Sequence, residues 1–239
     1  MTRPLLTFLF VLFFLPADAL SKTPLFRMNS GASEPLSNDE QTGFYNRIAT
    51  EIFRRLDIPL KYVRLPSERS LIHGNQGIDD GVIARIEGLD KKWRNLVRVP
   101  EEIISWEFSA FSYDVDIEVK GWESLKPYSV GIIRGWHIYE ENLADANALT
   151  KVSTPKQLFR LLSSGRIDIA MFERLRAQYW MKKLDINPPI LAPEIAKKAL
   201  YIYVHKKHAA LVPKLTRVIA AIKKDGTYER IFNATLAIE

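Results

Sequence analysis

Apolar positions along the chain change period several times, and each change marks an element. Leu25 to Met28 reads as a short strand, followed by a polar loop from Asn29 to Thr42. Phe44, Ile48, Ala49, Ile52, Phe53 and Leu56 then recur at three- and four-residue steps, the buried stripe of a helix. Arg47 and Glu51 stand four apart on its outer side, a spacing that favours an ion pair. Asp57-Ile58-Pro59 ends the helix, and Leu60 to Leu65 alternates as a strand. A short helix is expected from Ser67 to His73, with Gly74 as its stop, then a small apolar strand from Gly81 to Ala84. Leu96 to Val99 and Ile103 to Phe111 read as two extended runs.

The second half returns to the same rhythm. Ser129 to Ile133 is a strand, Gly135 opens a turn, and a helix follows to about Leu143. Thr154 stands as an N-cap with Pro155 at the first helical position, and this helix buries Leu158, Leu161 and Leu162 before Ser164-Gly165. Ile167 to Met171 is a strand, Arg174 to Leu184 a helix, and Ala199 to Val204 a further strand after Pro188-Pro189. Leu211, Leu215, Val218, Ile219 and Ile222 face one side of a long helix that Gly226 stops, with Thr227 capping a last short turn. Strands alternating with helices predict an α/β fold with mainly parallel sheets. No glycine-, serine- or proline-rich linker divides the chain, so any two lobes must share several crossings.

The ends and the composition narrow the compartment. Arg3 precedes an uncharged run from Leu5 to Leu15, then Pro16 and the small-x-small Ala17-Asp18-Ala19. That is the order of a secretory signal, with cleavage expected after Ala19. Eleven residues of helix reach about 16 Å, too short for the roughly 30 Å of bilayer hydrocarbon. There is no cysteine, which excludes disulfides, thiolate chemistry and a lipidated N-terminus. The expected location is therefore the periplasm, without a lipid anchor. The net charge of +6 is spread along the chain, so it predicts a solvated surface and no nucleic-acid partner. His205-Lys206-Lys207-His208 lacks the spacing of a zinc helix, and neither a metal nor a cofactor is expected.

One internal echo carries chemistry. Leu65-Pro66-Ser67-Glu68-Arg69-Ser70-Leu71 leads through a helix to Gly77-Ile78-Asp79-Asp80 and a strand. Thr154-Pro155-Lys156-Gln157-Leu158 leads likewise to Gly165-Arg166-Ile167-Asp168 and a strand. Arg85 follows Asp80 by five residues, and Glu173 follows Asp168 by five. If both are βαβ pieces, Arg85 and Glu173 leave their strands at equivalent carboxyl ends, where open α/β sheets bind ligands. A guanidinium opposite a carboxylate suits a zwitterion, or an anion with a hydrogen-bonding amine; two ordinary structural ion pairs would leave the same trace.

Several segments resemble the family-3 periplasmic solute-binding proteins, which include polar-amino-acid receptors of ABC transporters. They are Gly43-Phe44-Tyr45-Asn46-Arg47-Ile48-Ala49, Gly77 to Ala84, Gly165-Arg166-Ile167-Asp168, and Lys224-Asp225-Gly226-Thr227-Tyr228. Trp122-Glu123-Ser124-Leu125-Lys126, with Val130-Gly131-Ile132 and Gly135, resembles the entry to that family's second lobe. The resemblance implies a two-lobed fold, each lobe a mainly parallel sheet flanked by helices. Residues 20–104 and 205–239 would form lobe one and 105–204 lobe two, with hinge crossings near Ile104 to Trp106 and Ala199 to Tyr203. It also implies that Glu173 pairs with a ligand amine, and that the Arg134-Gly135-Trp136-His137 turn offers backbone donors to an anion.

The departures are equally informative. Leu89-Asp90-Lys91-Lys92 lacks the family's threonine and arginine that grip a carboxylate, and Ala84-Arg85-Ile86-Glu87 replaces its hydroxyl-bearing stretch. Carboxylate recognition then falls to Arg85 or Arg69, whose planar forks suit it. Tyr45, Trp106 and Trp136 are the aromatic wall candidates, though ordinary core packing also explains Tyr45.

The expected function is a monomeric, non-enzymatic receptor for a small polar or zwitterionic solute, delivering it to an ABC permease. Two alternatives stand beside it: a dehydratase-like enzyme with Glu173 as acid or base, and a ligand-sensing adaptor for a membrane receptor.

Overall fold

The computed structural model describes residues 25–236; the expected signal, residues 1–19, lies outside them. Within them, no helix is long and apolar enough to cross a membrane. Two units with the same βαβαβ plan stand at either end of one eight-stranded sheet, ordered β2-β1-β3-β8-β4-β7-β5-β6. The first unit contains β1 (Phe26–Ser30), α1 (Phe44–Arg55), β2 (Leu60–Arg64), α2 (Ser67–Gln76) and β3 (Gly81–Ile86). The second contains β5 (Ser129–Ile133), α3 (His137–Asn142), β6 (Ala148–Val152), α4 (Pro155–Ser163) and β7 (Ile169–Glu173). In both, the first strand runs parallel to its two neighbours.

Between the units run two 16-residue strands, β4 (Leu96–Phe111) and β8 (Ile190–His205). They are antiparallel to each other and to β7 and β3 respectively, so the sheet is mixed at its centre. The sequence predicts two separate runs within β4 and only Ala199 to Val204 within β8. Pro100 and Pro193 interrupt the apolar pattern, but register shifts in the ladder absorb the irregular stretches. Helices α5 (Arg174–Leu184), α6 (Val212–Lys224) and α7 (Thr227–Thr235) complete the chain.

The cores divide along the same line. One packs α1 and α6 onto β1, β3 and the outer ends of β4 and β8, with Phe44, Ile48, Ile52, Phe53, Leu215 and Ile219 buried. Each large side chain sheltered in this way contributes roughly 1.5–3 kcal/mol of apolar transfer. Two more clusters pack around β5 and β7, centred on Ile132, Met171 and Tyr139 and on Phe159, Phe172 and Ala177. Trp106 touches both the first core and the second.

The echo is structural. Asp80 accepts the Arg27 N–H through Oδ2 (2.9 Å) and donates its own N–H to Arg27 O (2.7 Å). Asp168 treats Ser129 identically, at 2.8 and 2.9 Å. Each aspartate therefore fixes where its strand enters the sheet, and each strand pairing begins at the next residue. Asp79, fully buried, is held by Arg27, Asn29 and His73.

Three local expectations change. α2 continues past Gly74, whose added Cβ would clash with Val82 Cγ2; the left-handed Gly77 (φ 73°) stops the helix instead. Glu51 pairs with Arg54 and Arg55, while Arg47 turns back to the Thr42 carbonyl. The last turn is a nine-residue helix beginning at Thr227, preceded by left-handed Gly226.

Candidate functional site

Arg85 and Glu173 do occupy equivalent strand ends. Arg85 is the fifth residue of β3 and Glu173 the fifth of β7, each in a strand whose pairing starts after the clamping aspartate. Their surroundings differ.

Before Arg85 the β3–β8 ladder shifts register, and Ala84 takes a left-handed φ of 60°. An alanine there stores backbone strain, of order 1–3 kcal/mol, and re-aims the residue that follows. The Arg85 guanidinium reaches Ser67 Oγ (2.9 Å), Ser67 O (3.0 Å) and Ser70 Oγ (2.7 Å). Gly31 makes room for it, since an added Cβ would lie 2.8 Å from Nη2. Arg85 Nε is buried without a hydrogen-bond partner. Burial pulls its pKa down to about 10, opposed by the hydroxyls of Tyr45 and Tyr62, so it stays charged at neutral pH.

Glu173 is fully buried and caps α5, with Oε1 accepting the Leu175 N–H and Oε2 the Arg176 N–H, both at 3.0 Å. Burial pushes its carboxyl up to about 7, against the pull of those two N–H groups and of Arg176. It also borders a cavity of about 340 Å³ lined by Ser105, Glu107, Arg174 and Lys197. The resemblance implies that Glu173 pairs with a ligand amine; in the structure both of its oxygens hold the helix.

Arg176 was not singled out in the sequence. It follows Glu173 by three residues in the first turn of α5, so it shares that side of the helix, and this spacing was the available signal. Its Nη2 donates to Ser33 Oγ (3.2 Å), and its guanidinium lies over Trp136 and Phe172 at 5.2 and 5.1 Å. Its Nε is also buried and unpartnered, and burial lowers its pKa despite Glu173, Tyr45 and Tyr139. Both arginine side chains keep partial solvent contact although these inner atoms are covered. Such a pattern fits groups that line a gap.

Tyr45 and Trp106 meet, the indole N–H donating to the Tyr45 hydroxyl (3.2 Å). Tyr45 is wholly buried, which raises its pKa far above the usual phenol range. Trp136 stacks nearly parallel with Trp106 (5.8 Å, 8°) and Tyr139 (5.6 Å, 3°). The structure thus brings Arg85, Tyr45, Trp106, Trp136 and Glu173 around a region that also holds Arg176 and Tyr139. Arg69 points outward from α2, and Arg134 is exposed.

Three backbone donors of the turn after β5 already have partners. Arg134 N–H bonds Val152 O, Gly135 N–H bonds Glu140 Oε1, and Trp136 N–H bonds Ile133 O. Contacts between the units continue along α5: Tyr179 donates to Glu34 (2.8 Å) and Lys183 lies 3.7 Å from the same carboxylate. Among the described residues, no cluster of histidine, aspartate and glutamate is arranged to hold a metal ion.

No protein-family profile matches the chain. An uncharacterized protein of Shewanella oneidensis is 27% identical over 191 residues, covering 77% of this chain and 72% of the relative. Three solved structures span the roles that this architecture serves elsewhere. The substrate-binding protein of an amino-acid ABC transporter matches with TM-score 0.66 and 19% identity, covering 89% of this chain and 99% of the other. A histidine kinase sensor domain with similarity to periplasmic binding proteins gives 0.71 and 18%, covering 89% and 96%. An ancestral amino-acid-binding protein, a precursor of cyclohexadienyl dehydratase, gives 0.68 and 17%, covering 89% and 95%. With helices flanking an eight-stranded sheet built from two like units, the chain has the fold of the periplasmic binding proteins.

Proposed function

We propose that this protein is a periplasmic solute-binding protein that closes around a small polar or zwitterionic solute and hands it to an ABC permease. One observation carries the reading: two guanidinium groups from opposite units, Arg85 and Arg176, reach the same short stretch, Gly31 to Ser33, and both leave a buried Nε–H unpartnered. A buried donor without an acceptor costs about 1–3 kcal/mol, a cost that a bound anion would remove. Two lobes would hinge where the chain passes between cores, in β4 and β8, whose Ile104 and Ser105 pair with Leu200 and Ala199. Trp106 sits one residue beyond that pairing and touches both sides.

The test is a thermal-shift screen of amino acids, organic acids and polyamines. A ligand present at 100 times its Kd stabilises by about 2.7 kcal/mol, which raises the melting temperature measurably. A flat response across the whole screen contradicts the reading. The transporter role and the sensor role differ only in the membrane partner, and pull-down with the ligand-saturated protein separates a permease from a receptor kinase.

A second reading draws on Glu173. A buried carboxyl with a pKa near 7 is suited to proton transfer, and one structural neighbour is a dehydratase precursor. Loss of water from a cyclic hydroxy acid, abolished in Glu173→Gln, would establish it; no turnover by the wild type would remove it.

A further inference from the structure

The charges around Arg85 and Arg176 do not balance for a zwitterion. Arg85 has serine partners and, among the groups that act on its charge, only the hydroxyls of Tyr45 and Tyr62. Arg176 has Ser33 and two aromatic rings, and the acid that acts on it is Glu173. Neither arginine forms a salt bridge among the described residues. Charges set this deep are ordinarily paired. Two are left in want of an anion.

An ammonium group would find little to hold it. The Glu173 carboxylate already accepts two backbone N–H groups. The Trp136 ring, the best aromatic face for a cation, is stacked with Trp106 and Tyr139 and already carries Arg176. Among the polar groups nearby are hydroxyls, those of Ser33, Ser37 and Tyr62, that can donate to an anion. Gly31 and Ser33, the two contact points of the arginines, are two residues apart, which is at most about 7 Å of extended chain.

We infer that the gap takes a dianion lacking an ammonium group, a small dicarboxylate, with one carboxylate on Arg85 and the other on Arg176. This rests on the solute-binding reading and narrows it. Planar guanidinium forks match carboxylates through two parallel N–H···O bonds.

The experiment is isothermal titration calorimetry of the purified protein with succinate, 2-oxoglutarate, glutamate, glutamine, arginine and acetate. The two dicarboxylates without an amine are expected to bind at least about tenfold tighter than the other four. Arg85→Met and Arg176→Met should each weaken them by at least about tenfold, because each leaves one carboxylate desolvated and unpaired. Glu173→Gln should strengthen succinate binding, since it removes the acid that acts on Arg176. If Arg176→Met does not fold, Arg176→Lys keeps the charge, loses the fork, and should give an intermediate Kd. Glutamate, glutamine or arginine binding as tightly as succinate, with loss in Glu173→Gln, would overturn the dicarboxylate inference and leave the solute-binding reading standing. Binding of none of the six ligands would overturn the dicarboxylate inference, whereas the solute-binding reading falls only with a flat response across the wider thermal-shift screen.

Discussion

Glu173 brings a pH dependence that reaches the neutral range. Its carboxyl titrates near 7 in the folded chain, against an ordinary 4.5, so the native state holds a proton that the unfolded state has released. Stability is then highest below about pH 4.5 as far as this group is concerned, falls as pH rises through about 7, and levels off above that. The full loss is on the order of 3 kcal/mol at most. The groups facing it are Arg176 and the α5 N–H donors, which favour the anion, and Glu107, which opposes it; Tyr45 and Tyr139 lie close by. Urea unfolding at a series of pH values should show this decline in the wild type and a flatter profile in Glu173→Gln. An identical slope in both would mean that Glu173 is not the titrating group. The same proton governs binding: a dicarboxylate should bind more weakly as pH rises from 6 to 8, whereas a ligand amine on Glu173 would bind more tightly.

At the scale of elements, the paired aspartates make a prediction about the two units. Asp168→Ala loses the Ser129 N–H and hydroxyl contacts and should cost about 1 kcal/mol. Asp80→Ala should cost more, because it also releases Lys207 and His208 and its carboxylate is more deeply set. Chemical denaturation measures both, and a larger effect at Asp168 would contradict the assignment. Thr154→Ala, which breaks a complete capping box with Gln157, should cost about another 1 kcal/mol. These features were legible because each is a short-range rule: an apolar stripe for α1, a Thr-Pro start for α4, an aspartate before each matched strand. What was not legible depended on distant partners. β6 has only outward or half-exposed side chains, so it carries no apolar run to notice. Gly74 reads as a stop until Val82 is seen against it. Arg176 reads as a solvated helix residue until Ser33 and Trp136 are brought over it. Conversely, nothing in the sequence around Gly135 shows that Glu140 and neighbouring carbonyls take the N–H groups of Arg134, Gly135 and Trp136.

For the whole molecule, β4 and β8 are the shared route between the two groups of cores, and α5 touches the first unit through Ser33 and Glu34. Those contacts are few and partly exposed, and an exposed pair such as Lys183–Glu34 is worth at most about 1 kcal/mol. They cannot hold the units together by themselves. Ligand-dependent closure is therefore expected, with small-angle scattering showing a smaller radius of gyration when ligand is added; an unchanged profile at saturation would argue for a rigid body. The central claim is that Arg85 and Arg176 together hold a small anionic solute. Native mass spectrometry of the protein purified under gentle conditions tests it most directly. A bound small acid should appear on the wild type and be absent from the Arg85→Met/Arg176→Met double variant. The same mass retained by a folded double variant would contradict the claim.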